Sequence, residues 1–132
     1  MYSSAKGAVA ECNHVFIKGN NLNERFENLG EDSKFYIGEI GFGIGINFLT
    51  TCKSWLNHTK QNQVLEFYSF DKYLFRLSDF KKLNVSCPDL KEYISELELS
   101  YPRNIQGVQK ISLFDGRIIL NLIIGEIDST QE

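Results

Sequence analysis

The sequence lacks the features that would tie it to a membrane, a metal or a disulfide framework. No apolar run approaches the roughly 18 residues that a bilayer-spanning helix needs, and no basic segment followed by an apolar stretch opens the chain. A soluble, cytoplasmic protein without a membrane partner is therefore expected. The cysteines, Cys12, Cys52 and Cys87, are odd in number, far apart and outside any C-x-x-C pattern, which argues against disulfides and against a zinc ribbon. Cys12 and His14 sit two apart, but no second ligand pair accompanies them, so no metal is expected. Positive charge is also scarce. Lys and Arg total 14 against 17 Asp and Glu, leaving a net charge of -3. That balance gives no basic footprint for a nucleic-acid backbone, so if RNA is a partner this segment is not its main electrostatic grip.

What is present suits one compact domain: 132 residues, 42% hydrophobic and 13% aromatic, enough for a core and too few for two domains. No repeat, low-complexity tract or composition shift marks a linker. Residues 1–33 read as an N-terminal extension packed on the main sheet. In it Val15-Phe16-Ile17 is expected as a short strand and Gly19-Asn20-Asn21 as a turn leading into Leu22 to Phe26. Phe35-Tyr36-Ile37 is a continuous apolar run closed by glycines, the pattern of a parallel strand buried on both faces.

Leu49, Cys52, Trp55 and Leu56 recur at helical spacing, so an amphipathic helix is expected over about Asn47 to Leu56. Val64 to Phe70 reads as the next strand, with Asp71 at its C-terminal end, and strand, helix and strand outline a right-handed crossover unit. Phe80 and Leu83 suggest a shorter helix. Leu90, Tyr93, Ile94 and Leu97 form one apolar helical face, which Pro102 stops. Val108 to Phe114 and Arg117 to Ile124 flank Asp115-Gly116, a dipeptide suited to a two-residue hairpin turn, with Ile118, Leu120, Leu122 and Ile124 on one face.

The chemistry concentrates in Gly38-Glu39-Ile40-Gly41-Phe42-Gly43-Ile44-Gly45-Ile46-Asn47, where alternate glycines follow a strand and open a helix. Such a loop lets backbone approach a ligand more closely than any Cβ permits. The dinucleotide fingerprint G-x-G-x-x-G/A, counted from Gly41, meets Ile46 at its sixth position, so an NAD-dependent oxidoreductase is a minor alternative. No G-K-[ST] of a phosphate-binding loop follows either. Glu39 beside the glycines can pair with a cationic amino group, while the loop accommodates an uncharged nucleoside. S-adenosylmethionine offers both features. Asp71 is placed to accept hydrogen bonds from a ribose diol; the alternative is a surface carboxylate beside Lys72.

Four stretches carry a more specific resemblance: Val15 to Leu22 through Arg25-Phe26; Gly38 to Leu49; Phe70-Asp71-Lys72; and Asp115-Gly116-Arg117 leading to Gly125-Glu126-Ile127. Together they resemble the methyltransferase half of the bifunctional tRNA 5-methylaminomethyl-2-thiouridine biosynthesis (MnmC) family. The resemblance implies an α/β, Rossmann-like class I S-adenosylmethionine-dependent methyltransferase fold, of which 34–132 would be the cofactor-binding half. It implies methyl transfer to the aminomethyl nitrogen of a tRNA wobble uridine, with Glu39, Gly41, Gly43, Gly45, Asn47, Asp71 and Glu126 as cofactor positions.

A family segment resembling Leu-Asp-Gly-Phe-Ala-Pro, whose aspartate is the implied catalytic group, does not occur. No residue is put forward as catalytic, Asp115 included, and the chain is expected to be truncated and inactive alone. A non-catalytic cofactor-binding remnant or interaction module is the other reading. In the expected strand order the first strand is central, so without later strands its apolar edge stands unpaired and self-association through that edge is expected.

Overall fold

The computed structural model describes residues 12–41, 45–71, 77–101 and 107–125. Four strands, β1 (Lys34–Ile40), β2 (Val64–Asp71), β3 (Gly107–Leu113) and β4 (Ile118–Ile124), form one sheet in the order β1-β2-β4-β3. β1, β2 and β4 run parallel, and β3 is antiparallel to β4 at the far edge. Helix α3 (Ile46–His58) crosses from β1 to β2, and α4 (Leu77–Ser86) and α5 (Lys91–Ser100) lie between β2 and β3. Both crossovers progress in the same direction along the sheet, so a constant right-handed sense puts their helices on the same face.

Burial bears this out. On the helix-covered face Leu65, Phe67 and Ser69 of β2 and Ile118, Leu120 and Leu122 of β4 are fully buried. Phe48 and Phe67 meet edge to face at 5.0 Å. Phe26 is wedged against Trp55 at 4.9 Å and against Phe35 at 5.0 Å. Helix α3 forms because Phe48, Leu49, Cys52 and Trp55 share one stripe, all buried. Tyr93, Ile94 and Leu97 do the same for α5, extended by Leu90 in the 3₁₀ turn before it.

The opposite face has no helix over it among the described residues. Tyr36 and Ile40 of β1 and Val108 of β3 stand exposed there. One polar pair interrupts it: Asn121 Nδ2 donates to Glu66 Oε1 at 2.9 Å, both residues buried, with Lys34 Nζ 3.9 Å from Glu66 Oε2. The register sets Tyr68, not Glu66, beside Asn121, so this contact is diagonal across the β2–β4 seam.

Four expectations are corrected. Val15-Phe16-Ile17 is not a strand but lies in a π-helix, α1 (Cys12–Lys18), closed by Gly19 N–H donating to His14 O at 3.1 Å. With no strand beside it among the described residues, the short run buries Ile17 by coiling. The expected N-terminal strand extension is therefore helical; with α2 (Leu22–Glu27) it packs on α3 and also meets the sheet directly, through Phe26 against Phe35 of β1. β1 is not buried on both faces: its side chains alternate exposed and half-buried because it is an edge strand.

The hairpin loop is also longer than two residues. Leu113 pairs with Ile118, and Phe114, Asp115 and Gly116 all take positive φ. The Phe114 N–H donates to Glu96 Oε2 at 2.9 Å, so α5 clasps the loop in that shape. The helix of Phe80 and Leu83 is as long as the one after it, ten residues each.

Phe67 sits at the centre of the helix-covered face. Phe67→Ala should destabilise the chain by about 3–5 kcal/mol, a cavity cost that urea unfolding of the two proteins would read as a lower midpoint at similar slope.

Candidate functional site

The parallel pairing brings the C-terminal ends of β1 and β2 together, where crossover connections leave a crevice. Glu39, next to last in β1, is in register with Ser69 of β2, and Asp71 lies two residues further along the same face. Between β1 and α3 the chain turns through Gly41, at φ +86°, and Gly45, at φ +81° and the N-cap of α3. Such angles suit glycine and strain other residues. The Gly41 N–H continues the ladder to Phe70 O at 2.7 Å, and a Cβ at Gly41 would meet nothing within 4 Å among the described residues.

Asn47, in the first turn of α3, reaches back with Nδ2 to Glu39 Oε2 at 3.2 Å. Its own carbonyl accepts from Thr51 Oγ1 at 2.6 Å, so both ends of the residue are fixed. Glu39 Oε1 is buried without a hydrogen-bond partner among the described residues, and so is Ser69 Oγ. Ser69 lies close enough to favour the ionised acid, yet the two make no aligned hydrogen bond. The Glu39 pKa is pushed up from its ordinary 4.5 to about 7, chiefly by burial; Asn47 and Ser69 oppose the shift, and the nearby Asp71 charge adds to it.

A half-buried carboxylate with one oxygen held and the other unpaired is a receptor for a cation or a hydrogen-bond donor. The structure thus brings Glu39, Gly41, Gly45, Asn47 and Asp71 to one end of the sheet. Gly43 and Glu126 lie outside the described residues. Ser69 was not singled out from sequence; the signal available was a hydroxyl interrupting an apolar strand two residues before Asp71.

A cavity of about 480 Å³ opens at the other end of the strands, lined by Leu56, Gln61, Phe114, Asp115 and Arg117. There Arg117 Nη2 donates to Thr59 O at 3.0 Å, tying the hairpin to the end of α3. Its residues share nothing with the glycine turn, and the C-terminal strand ends remain the candidate site. No described helix is long and apolar enough to cross a membrane.

No protein-family model matches the chain. Among curated relatives, the tRNA 5-methylaminomethyl-2-thiouridine biosynthesis bifunctional protein MnmC of Hydrogenovibrio crunogenus is 38% identical over 127 residues, covering 96% of this chain and 19% of its own length. The MnmC proteins of Marinobacter nauticus, 38% identical over 130 residues, and of Legionella pneumophila, 35% over 129, each align with 96% of this chain and with 21% and 19% of their own lengths. The chain spans about a fifth of the length of the curated relatives it matches. A crystal structure of MNMC2 from Aquifex aeolicus is similar at a TM-score of 0.64 and 18% identity, over 90% of this chain and 33% of that one. That likeness supports the Rossmann-like fold.

Because folded Glu39 keeps its proton up to about pH 7 and the unfolded residue releases it near 4.5, folding takes up a proton between those values. Stability should then fall as pH rises through that window. Glu39→Gln should remove this slope and gain on the order of 1–2 kcal/mol at pH 8 after discount for solvent screening. Urea unfolding of both proteins at pH 5 and pH 8 measures it, and parallel behaviour of the two would count against a buried acid at position 39.

Proposed function

Along 96% of its length the chain belongs to the family of the MnmC bifunctional proteins, and from that premise we propose that it is the S-adenosylmethionine-binding part of a methyltransferase acting on the aminomethyl group of a tRNA wobble uridine. The observation that carries the reading is the Glu39 carboxylate beside the glycine turn, with one oxygen anchored by Asn47 and the other buried and without a hydrogen-bond partner among the described residues. S-adenosylmethionine would supply a methyl group on a sulfonium, together with an ammonium and a ribose diol for the protein to hold.

The residues fit those groups one by one. Glu39 Oε1 takes the ammonium, whose positive charge would return the acid to its ionised form. Asn47 fixes the carboxylate's rotation. Gly41, Gly43 and Gly45 let the backbone lie against the nucleoside, and Asp71 at the next strand end accepts from the diol. Glu126, by family resemblance, completes the set. The chain's own part is alignment, presenting the methyl carbon in line with an approaching amine. With a net charge of -3, the main grip on tRNA falls outside this segment.

A second reading, binding without turnover, is favoured by the bare sheet face beside the site, where Tyr36 and Ile40 have no helix over them among the described residues. A methyl acceptor confined on one side only would not be held in line.

Calorimetric titration with S-adenosylmethionine tests the proposal. Saturable one-to-one binding is expected, weakened about tenfold or more by Glu39→Gln, which removes a charge-assisted contact, and not competed by NAD. Binding that is indifferent to Glu39→Gln, or displaced by NAD, would sink it. Transfer of labelled methyl to tRNA bearing aminomethyluridine separates the two readings.

A further inference from the structure

Ser69 interrupts an otherwise apolar run on the helix-covered face of β2. That strand has a neighbour on each side, so the register fixes what stands beside the residue: Glu39 of β1 on one flank and Leu122 of β4 on the other. Along its own strand the same face carries Phe67 before it and Asp71 after it. Ser69 is fully buried, and its Oγ has no hydrogen-bond partner among the described residues. Glu39 is its one polar cross-strand neighbour.

Glu39 has the complementary need. Asn47 Nδ2 holds Oε2 at 3.2 Å, while Oε1 is buried without a hydrogen-bond partner among the described residues. Paired strands lie about 4.8 Å apart, a gap that the Glu39 side chain spans. A serine hydroxyl rotates freely and can accept from a protonated acid or donate to an ionised one. The need for a donor is greatest in the ionised form, because a buried carboxylate oxygen left bare is the most expensive of these groups.

We propose that Ser69 is a positioning residue of the site: its hydroxyl turns to donate to Glu39 Oε1 whenever Glu39 is ionised. Asn47 and Ser69 then hold the carboxylate from both oxygens and fix the direction in which it meets a cationic group. A carboxylate oxygen has two lone pairs, so Oε1 accepts from Ser69 and keeps one for the ligand. Use by a ligand rests on the functional reading above; the hydrogen bond itself does not. Burial works against ionisation of Glu39 and the like charge of Asp71 adds to it, while Asn47 and Ser69 oppose both. The first turn of α3 brings no acidic residue, so Asp71 is the charge that acts on Glu39 among the described residues.

A pH titration of the full chain without ligand, read by NMR at the Glu39 carboxyl carbon and with circular dichroism to verify folding, tests the assignment. Ser69→Ala should raise the proton affinity of Glu39 about tenfold, the loss of one charge-assisted hydrogen bond. Ser69→Thr keeps the hydroxyl on a side chain suited to a strand and should return the titration toward wild type. Asp71→Asn removes a like charge and should move it the opposite way from Ser69→Ala. A serine with a purely structural role would change stability and leave the titration where it was. The same Glu39 titration in folded Ser69→Ala as in wild type would therefore overturn the proposal.

Calorimetry with S-adenosylmethionine carries the assignment to the ligand. A cation that binds ionised Glu39 must first displace its proton, so Ser69→Ala should bind about tenfold more weakly than wild type at pH 6 and nearly equally at pH 8.5. An equal loss at both pH values would overturn the positioning role. Absence of binding to either protein, with the titration shifted, would defeat the functional reading and uphold the hydrogen bond between Ser69 and Glu39.

Discussion

Parallel pairing of β1, β2 and β4 is the constraint from which the rest of the molecule follows. Parallel neighbours cannot be joined by a tight turn, so the chain must cross over through helices, and a fixed hand sends those helices to one face. The same pairing gathers the strands' C-terminal ends, which is why Glu39 of β1 becomes a neighbour of Ser69 and Asp71 of β2 although 30 residues separate Glu39 from Ser69 in the chain. At the other end it places Arg117 against Thr59, where the hairpin is tied to α3. The helix-covered face then supplies the core, with Phe48, Phe67, Leu120 and Leu122 buried together.

The site stands in tension with this core. Glu39 is carried on the helix-covered face at the point where cover runs out, so its carboxylate is partly stripped of water without a compensating cation among the described residues. Burial of that kind costs folding free energy and raises affinity for a positive ligand by the same physics. Asn47 limits the cost by holding one oxygen, and the first turn of α3 puts it in reach.

Much of this was legible in the sequence because the signals were local. The apolar stripe Leu49, Cys52, Trp55 gave α3; the run Val64 to Phe70 gave β2; and alternate glycines between strand and helix gave the turn. What was not legible depended on partners distant in the chain. Val15-Phe16-Ile17 has the composition of a strand, yet nothing in the run itself says that no strand lies beside it, and it coils against α3 instead. Phe35-Tyr36-Ile37 has the continuity of a doubly buried strand, yet burial depends on what stands beyond β1. Asp115-Gly116 announced positive φ correctly, but the same angle at Phe114 depends on Glu96, 18 residues away. Ser69 was hidden because a single hydroxyl in an apolar strand carries meaning only opposite Glu39.

The diagonal contact between Glu66 and Asn121 bears on how faithfully the sheet can assemble. Apolar alternation forbids a one-residue slip between β2 and β4, which would turn every side chain to the wrong face. It does little against a slip of two, because Leu65, Phe67 and Ser69 would then meet Ile118, Leu120 and Leu122 in new but equally greasy combinations. A two-residue shift that carries Glu66 away from Asn121 would, however, strand a buried carboxylate and a buried amide without each other, and such orphaned groups are expensive. One polar pair on an otherwise apolar seam thus works as a one-way error check, rejecting a slip in one direction that hydrophobicity alone would accept.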